Sequence, residues 1–306
     1  MTRVVAVTGA SGTIGRFVLP ELQRHGWSVR ALARPTTDRS GFAEPPMWIS
    51  GTLLEPQSLR QLVHGAHAVV HLAYEHILGR FRGGEGNDLA GWLDANMQGT
   101  LNLLLAARDA GVKKFIFLSS RAVFSQTEAG RVLDETHPLS PNTHYGAYKM
   151  AVEAFLKSFA SVEGMQTVSV RATGVYGIRS PLEKTKWFDI VSTTLRGEPI
   201  RTRRGGTEVH GSDVARTIVA LLTQDAFATD VVHLSDLYVT HRQLVALVNE
   251  LANRQVALPP PPQDPPTNML VCRAIEPLGI ELGGEPLLRQ TIADLIVAIQ
   301  RMGHQL

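Results

Sequence analysis

Two residues in this chain have the types and spacing for proton chemistry: Tyr145 and Lys149, four positions apart in a stretch with helical patterning. That offset puts both side chains on one helix face, about one turn apart. A free tyrosine titrates near ~10 and is a poor base at neutral pH. An adjacent ammonium favours the phenolate and lowers that value. Such a pair suits taking a proton from an alcohol or returning one to a ketone. Taken alone, Tyr-x-x-x-Lys also describes an ordinary exposed helix face, so its context decides.

The context begins at the N-terminus. Arg3 to Val7 is a short apolar, β-branched run, read as a buried strand. Thr8-Gly-Ala-Ser-Gly-Thr-Ile-Gly15 follows at once, and Arg16 to Arg24 then has the apolar spacing of a helix. A glycine-rich turn between a first strand and a first helix is how dinucleotide phosphates are held. Its glycines permit close backbone approach, and the helix start offers unpaired N–H groups to the pyrophosphate. The bland reading of the same residues is a tight turn.

Gly9, Gly12 and Gly15 are spaced Gly-x-x-Gly-x-x-Gly, with Ser119-Ser120 and the Tyr145/Lys149 pair downstream. On these residues the chain resembles the extended short-chain dehydrogenase/reductase family, in its NAD-dependent epimerase/dehydratase branch. The resemblance runs from about Val4 to the C-terminal helix and thins after about Gly177.

The composition is compatible with this. The 306 residues are 44% hydrophobic, ample for a packed core, and suit one large domain or a domain plus a lobe. Thirty basic against 28 acidic residues leave +2, which argues against a nucleic-acid partner. Arg201-Thr-Arg-Arg204, the one dense basic cluster, reads as a solvated loop. The single cysteine, Cys272, excludes an intrachain disulfide framework and suits a reducing compartment. A first strand at residue 3 leaves no space for a cleavable signal, and no apolar run reaches membrane-spanning length. The expectation is a soluble, cytoplasmic protein without membrane partners.

Strands and helices alternate along the chain. Strands are expected at Ser28–Ala33, Met47–Ser50, His67–Ala73, Lys114–Leu118 and Thr167–Arg171, with helices notably at Trp92–Asp109 and Tyr145–Ser161. This order implies an α/β fold with a Rossmann-type, doubly wound parallel sheet and ligands at the carboxyl ends of the strands. Residues 1–177 form the expected dinucleotide-binding domain, with sheet-completing returns from later chain. Residues 178–306 form the expected lobe, where 181–195, 210–222 and 242–253 look mainly helical. By resemblance this is a small substrate lobe, interrupted by surface connectors at Pro259–Pro262 and Pro265-Pro266.

The resemblance implies roles for particular positions. The loop residues Gly9, Ser11, Gly12, Thr13, Ile14 and Gly15 would hold the cofactor. Where the family places a ribose-binding acid after the second strand, this chain has Ala33 followed by Arg34. Losing the acid removes a charge that repels a 2′-phosphate, and Arg34 adds a partner for one, so NADP is favoured over NAD. Thr52 and Leu53 match the adenine-contacting turn, with Thr52 in place of the usual aspartate. Leu72 and Ala73 pass the cofactor's middle. Asn96, in a segment resembling the family's Asn-Val-x-Gly-Thr helix, is a cofactor-side contact, and Thr173 joins this set. Ser120 is the catalytic hydroxyl donor; Lys149 both holds the nicotinamide ribose and keeps Tyr145 acidic. Hydride transfer is the cofactor's chemistry. Tyr148 has the wrong offset to Lys149 for the base and is read as packing. Substrate would meet Ser120, Arg121, Tyr145 and His210, and the helices at Trp92–Asp109 and Tyr145–Ser161 match those through which relatives form homodimers.

Departures narrow the reading. Family dehydratases carry Asp-Glu directly after the hydroxyl residue, where this chain has Arg121 and Ala122, so dehydration by that route is disfavoured. Gly174 replaces the asparagine of the family's Arg-x-x-Asn-Val-Tyr-Gly segment, and the diphosphate-gripping arginine is absent at Gly206-Thr207. Arg203 or Arg204 could substitute for it. His64, His67, His71 and His76 cluster in sequence without a His-Glu-x-x-His pattern, so no metal is expected. His210 is either a substrate-lobe residue or a structural group beside Asp213. Three functions stay open: an NAD(P)-dependent oxidoreductase interconverting alcohol and carbonyl on a small polar or sugar-like substrate, a sugar epimerase that retains its cofactor, and a non-catalytic cofactor-binding regulator.

Overall fold

The computed structural model describes residues 3–77, 80, 82–125, 127, 131–262 and 269–303. In chain order the first half contains β1 (Arg3–Thr8), α1 (Gly15–Arg24), β2 (Trp27–Ala33), β3 (Met47–Ser50), α2 (Pro56–Val63), β4 (Ala68–His71), α3 (Leu89–Leu93), α4 (Gly99–Asp109), β5 (Lys114–Ser120) and α5 (His144–Glu163). There follow β6 (Gln166–Ala172), β7 (Gly174–Tyr176), α6 (Phe188–Leu195), β8 (Gly205–His210), α7 (Gly211–Thr223), β9 (Val231–Leu234), β10 (Leu237–Thr240), α8 (His241–Ala252) and α9 (Gly284–Gly303). The chain divides into two compact units. One comprises residues 1–172, 214–234 and 270–280; the other comprises 173–213, 235–269 and 281–306.

The first unit is built on seven parallel strands in the order β3-β2-β1-β4-β5-β6-β9. This is the expected doubly wound sheet. The winding reverses between β1 and β4, which opens a crevice at their carboxyl ends. β1 forms because Val5, Ala6 and Val7 are apolar on both faces and fully buried, as a strand covered by helices on both sides requires. The seventh strand, β9, comes from late in the chain. One face of the sheet packs on a core including Trp92, Leu103, Leu104, Phe115, Phe117, Tyr148, Val152 and Leu156. The helix expected over Trp92–Asp109 begins earlier, at Leu89, and contains one π-helical turn, Asp94–Gln98, around Asn96. Such turns distort the regular hydrogen-bond ladder and redirect side chains.

A buried hydrogen-bond chain ties this unit together at the switch. His71, the last residue of β4, is fully buried. Its Nδ1 lies 2.6 Å from Thr8 Oγ1 at the end of β1, and its Nε2 lies 2.9 Å from Thr100 Oγ1 on α4. Thr100 donates its own proton to Asn96 O at 2.6 Å, so it accepts from His71 Nε2–H, and Nδ1 accepts from Thr8. Burial, with Lys149 nearby, lowers the His71 pKa to about 3, so the ring is neutral. Both ring nitrogens of His71 thus serve the fold.

The second unit has a three-stranded sheet, in which β8 pairs parallel with β7 and antiparallel with β10. Its core joins Tyr176 and Val239 to Val191, Leu244, Val248, Ile292 and Leu295 of α6, α8 and α9. The mainly helical lobe is present, but two details of the expectation change. Between Pro181 and Leu195 only a single 3₁₀ turn at Leu182–Lys184 and α6 are helical, and His210 closes a strand rather than starting a helix. Pro259–Pro262 is without regular structure; Pro265-Pro266 lies outside the described residues. No helix among the described residues is long and apolar enough to cross a membrane.

Replacing His71 with leucine removes two buried hydrogen bonds and leaves the Thr8 hydroxyl proton without its acceptor in the interior. The expected loss is about 2–4 kcal/mol in urea unfolding, against under about 0.5 kcal/mol for the exposed control His64→Ala. Equal midpoints for the two variants would remove His71 from its bridging role.

Candidate active site

The last three residues of β5 are each held by a side chain from α5. Leu118 O accepts from Lys149 Nζ at 2.7 Å, Ser119 Oγ is hydrogen-bonded to Glu153, and Ser120 is hydrogen-bonded to the Tyr145 phenol. Tyr145, Lys149 and Glu153 recur every fourth residue, so they form one stripe on the helix facing the strand end. The start of α5 is fixed by Thr143, whose Oγ1 accepts from Gly146 N at 3.1 Å. Gly146 permits the approach: a Cβ there would stand 2.9 Å from Pro141 Cβ and 3.1 Å from the Ala122 carbonyl carbon. Ser120 Oγ also accepts from Ala122 N at 3.1 Å, capping the 3₁₀ turn Arg121–Val123 that carries Arg121.

Glu153 is itself buried and paired. Its carboxylate takes a forked contact from Arg171 of β6, at 3.1, 3.2 and 2.7 Å, and Arg171 Nη1 lies 3.3 Å from His233 Nε2 on β9. A continuous buried chain therefore runs from Ser119 through Glu153 and Arg171 to the neighbouring strands. Sequence reasoning missed Glu153, although its four-residue offset from Lys149 is the same signal that linked Lys149 to Tyr145.

Lys149 is almost fully buried among rings. Its Nζ lies 4.4 Å from the Phe117 ring centroid, 5.1 Å from Tyr148, 5.5 Å from Tyr74 and 5.7 Å from Tyr145. Burial lowers its pKa to about 7, against the opposing pull of Glu153. Tyr145 departs from the sequence expectation. Its pKa is raised, because burial penalises the phenolate more than Ser120 and then Arg82 relieve it. The acidifying influence in this structure comes from Ser120 and Arg82 rather than from Lys149. Tyr74, unnoticed in the sequence, packs on Tyr145 with ring centroids 4.8 Å apart and stacks on His76 at 5.0 Å. Tyr148 packs as expected, against Trp92 and Phe117, with its hydroxyl 3.1 Å from Thr100.

The glycine-rich loop meets the end of β4 across the switch point. Gly9 has φ +72°, and a Cβ on it would lie 2.6 Å from Ala73 N and 2.7 Å from the Leu72 carbonyl carbon. Gly12 N donates to Gly9 O at 3.0 Å, closing a turn that contains Ser11, and Thr13 and Ile14 lead into α1 at Gly15. A Cβ on Gly15 would lie 2.5 Å from Gly9 O, so the loop and helix start are packed backbone to backbone. Leu72 and Ala73 border this loop, and Ala73 N donates to Thr8 Oγ1 at 3.3 Å.

Other residues expected to contact the cofactor also make hydrogen bonds within the protein. Asn96 accepts from Glu75 N at 2.8 Å and donates to Glu75 O at 3.0 Å and Trp92 O at 2.9 Å. It clamps the segment after β4, and its amide is spent on the backbone. Thr52 Oγ1 donates to Glu55 and accepts from Leu54 N, both at 3.3 Å, within the turn that starts α2. Leu53 O accepts from Asn102 at 3.2 Å. Arg34 Nη1 lies 2.9 and 2.8 Å from the Glu75 carboxylate oxygens, so it is paired with an acid the sequence reading did not weigh. Thr173 and His210 belong to the second unit, where His210 Nδ1 lies 2.6 Å from Ser212 Oγ and its ring meets Tyr176 at 5.0 Å.

Residues 5–233 match the model of the NAD dependent epimerase/dehydratase family. The chain is similar to a UDP-glucose 4-epimerase of Streptomyces lividans, 27% identical over 77% of this chain and 69% of that one. It is also similar to a 4-hydroxy-2-methyl-3-oxo-4-farnesyl-3,4-dihydroquinoline-1-oxide ketoreductase of Stigmatella aurantiaca, 33% identical over 61% of this chain and about half of the relative, 54%. The crystal structure of a UDP-glucose 4-epimerase from Thermotoga maritima shares its fold, with TM-score 0.80 and 22% identity over 98% and 99% of the two chains. The chain belongs to the NAD-dependent epimerase/dehydratase family, among the extended short-chain dehydrogenases/reductases, enzymes of alcohol and carbonyl interconversion. The loop is compatible with the group this family implies: Gly9 and Gly15 let it pack backbone to backbone against Leu72, Ala73 and Ala10, and it leads directly into the start of α1, where helix N–H groups are available to phosphates.

The lysine supplies a stability test. Its pKa falls from 10.5 unfolded to about 7 folded, so between these values the unfolded chain binds more protons and stability rises with pH. Lys149→Met should therefore stabilise the protein most below pH 7. That advantage should shrink by at most ~1.4 kcal/mol per unit as pH climbs through the window. A pH-independent difference in unfolding free energy between the two proteins would refute a depressed lysine.

Proposed function

We propose that this protein is a reductase or dehydrogenase that exchanges a proton through Tyr145, with Ser120 and Lys149 as its partners. The observation that carries the proposal is the shared strand end, where Leu118, Ser119 and Ser120 are gripped by Lys149, Glu153 and Tyr145. In the oxidative direction the substrate hydroxyl proton passes to the Tyr145 phenolate; in the reductive direction the Tyr145 phenol gives its proton to the forming alkoxide. Ser120 donates to the reacting oxygen and fixes its distance from the phenol. Lys149 presents an ammonium for ribose hydroxyls and, when charged, favours the phenolate. When bound, the dinucleotide supplies or accepts the hydride. Gly9, Ser11, Gly12, Thr13, Ile14 and Gly15 hold its phosphates, and Leu72 and Ala73 flank it. NADP is the preferred form: Ala33 provides no carboxylate at the end of β2, and Arg34 follows it.

The substrate is a small polar or sugar-like molecule rather than a nucleotide diphosphate sugar. In support, the place of the family's asparagine at position 174 is taken by the Lys186–Glu208 ion pair, which a side chain there would have to displace. A Cβ there would stand 2.6 Å from Lys186 Nζ and 2.9 Å from Glu208 Cδ, because an ion pair between those residues fills the space. Epimerisation with a retained cofactor is the second reading, supported by the epimerase relatives. We also infer a cytoplasmic homodimer. The exposed Leu93, Leu105, Phe155 and Val162 on α3, α4 and α5 favour pairing through those helices.

Tyr145→Phe keeps the ring packing and removes the proton. With NADPH and a panel of aldoses and small ketones, turnover should fall by at least ~10²-fold while cofactor binding is unchanged. A folded variant with full turnover would overturn the acid/base assignment.

A further inference from the structure

The connection after β2 contains a second cation beside Arg34 that has no acidic partner among the described residues. Arg39 Nη2 reaches three neutral acceptors: Ala33 O at 3.5 Å, Arg34 O at 3.4 Å and Ser50 Oγ at 3.4 Å. All three distances are at the outer limit of hydrogen bonding. Arg39 Nε is sealed from solvent without a partner. A guanidinium with one N–H sealed from water and only long contacts to neutral acceptors is incompletely satisfied, and a phosphate dianion is the group that best completes it.

The position of Arg39 is set by rings rather than by a carboxylate. Its guanidinium lies over Trp48 of β3 at 5.6 Å, and Trp48 meets Phe42 edge to face at 5.5 Å. Arg16 of α1 lies over Phe42 at 4.8 Å and donates to Ser40 O at 3.2 Å. This alternation of cation and ring pins the connection against α1 and β3. Arg39 is thereby held at the carboxyl ends of β2 and β3, beside Ala33 and Ser50. Arg34 is in a different condition: its contact with Glu75 is an exposed pair, with side chains 57% and 52% accessible, and such pairs exchange partners at little cost.

We propose that Arg39 is the principal reader of the 2′-phosphate of NADP, and that Glu75 is a competing anion that holds Arg34 until a phosphate displaces it. This rests on the NADP reading given above and adds to it the residue that determines the preference. Arg39 contributes a preformed, partly desolvated fork; Arg34 contributes a second charge whose availability Glu75 sets.

The test is calorimetric titration of the cofactor-free protein with adenosine 2′,5′-bisphosphate and with AMP, which needs no substrate. The wild type should bind the bisphosphate at least ~10-fold more tightly than AMP, as one charge-assisted contact warrants. Arg39→Gln should bring the two affinities within about two-fold of each other by weakening the bisphosphate alone, while unchanged AMP binding reports an intact fold. Arg39→Lys should restore part of the preference, and Glu75→Gln should widen it several-fold. A wild type that prefers the bisphosphate and keeps that preference in Arg39→Gln would overturn the role of Arg39 and leave the NADP reading standing. A wild type that does not discriminate, or binds AMP better, would overturn the NADP reading itself. An unchanged ratio in Glu75→Gln would remove the competing role of that carboxylate.

Discussion

The site depends on one constraint: α5 must lie on the end of β5 in a single register. Three consecutive strand residues are held by three helix residues at four-residue intervals, and the buried Glu153–Arg171 pair locks the arrangement to β6. A buried ion pair is a poor source of net stability but a strong source of uniqueness here. A shift of the helix by one residue would strand Glu153 and Arg171 as unpaired buried charges, a penalty of about 3–5 kcal/mol. The geometry of the proposed site is thus held by a charge pair to which the proposal gives no chemical role. Thr143 and Gly146 reinforce this register at the helix start, one by capping and the other by having no side chain.

The second fixed point is the switch between β1 and β4, and it is held by neutral groups. Thr8, His71 and Thr100 hydrogen-bond to one another in the interior, so the ends of β1 and β4 and the start of α4 are tied together. This makes the close approach of Gly9 to Ala73 reproducible. A loop whose backbone must face phosphates needs its own conformation set from behind, and the buried hydroxyl–imidazole chain does that without introducing charge. Asn96 extends the same principle to the segment after β4, where its amide closes on Glu75. Glu75 is thereby delivered to Arg34.

Much of this was legible in the chain, for identifiable reasons. β1, β4, β5 and β6 are short apolar runs because parallel strands are buried on both faces, and the Tyr145–Lys149 offset is a direct consequence of helical periodicity. The strands of the second unit escaped notice because Gly174–Tyr176, Gly205–His210 and Leu237–Thr240 mix glycine, polar and apolar residues at lengths too short for period-two patterning. The π turn at Asp94–Gln98 has no compositional mark at all. Arg34 was read as a free cation because its partner Glu75 is 41 residues away, and pairing across strands is a property of topology. Glu153 carried a readable signal, since it continues the stripe of Tyr145 and Lys149 by one more turn.

The remaining difference concerns protons. Spacing alone treats Lys149 as a permanent cation that acidifies Tyr145, whereas the folded interior penalises charge on both. With burial dominant, the lysine titrates near neutrality and the phenol is harder to ionise than in water. Each group is eased back toward its charged form by its own neighbours. Glu153 acts in that direction from within the protein, and hydroxyl acceptors placed against Nζ would act in the same direction from outside it. Lys149 and Tyr145 are thus shifted by the same cause, burial, while their relief comes from different partners: Glu153 for the lysine, Ser120 and Arg82 for the phenol.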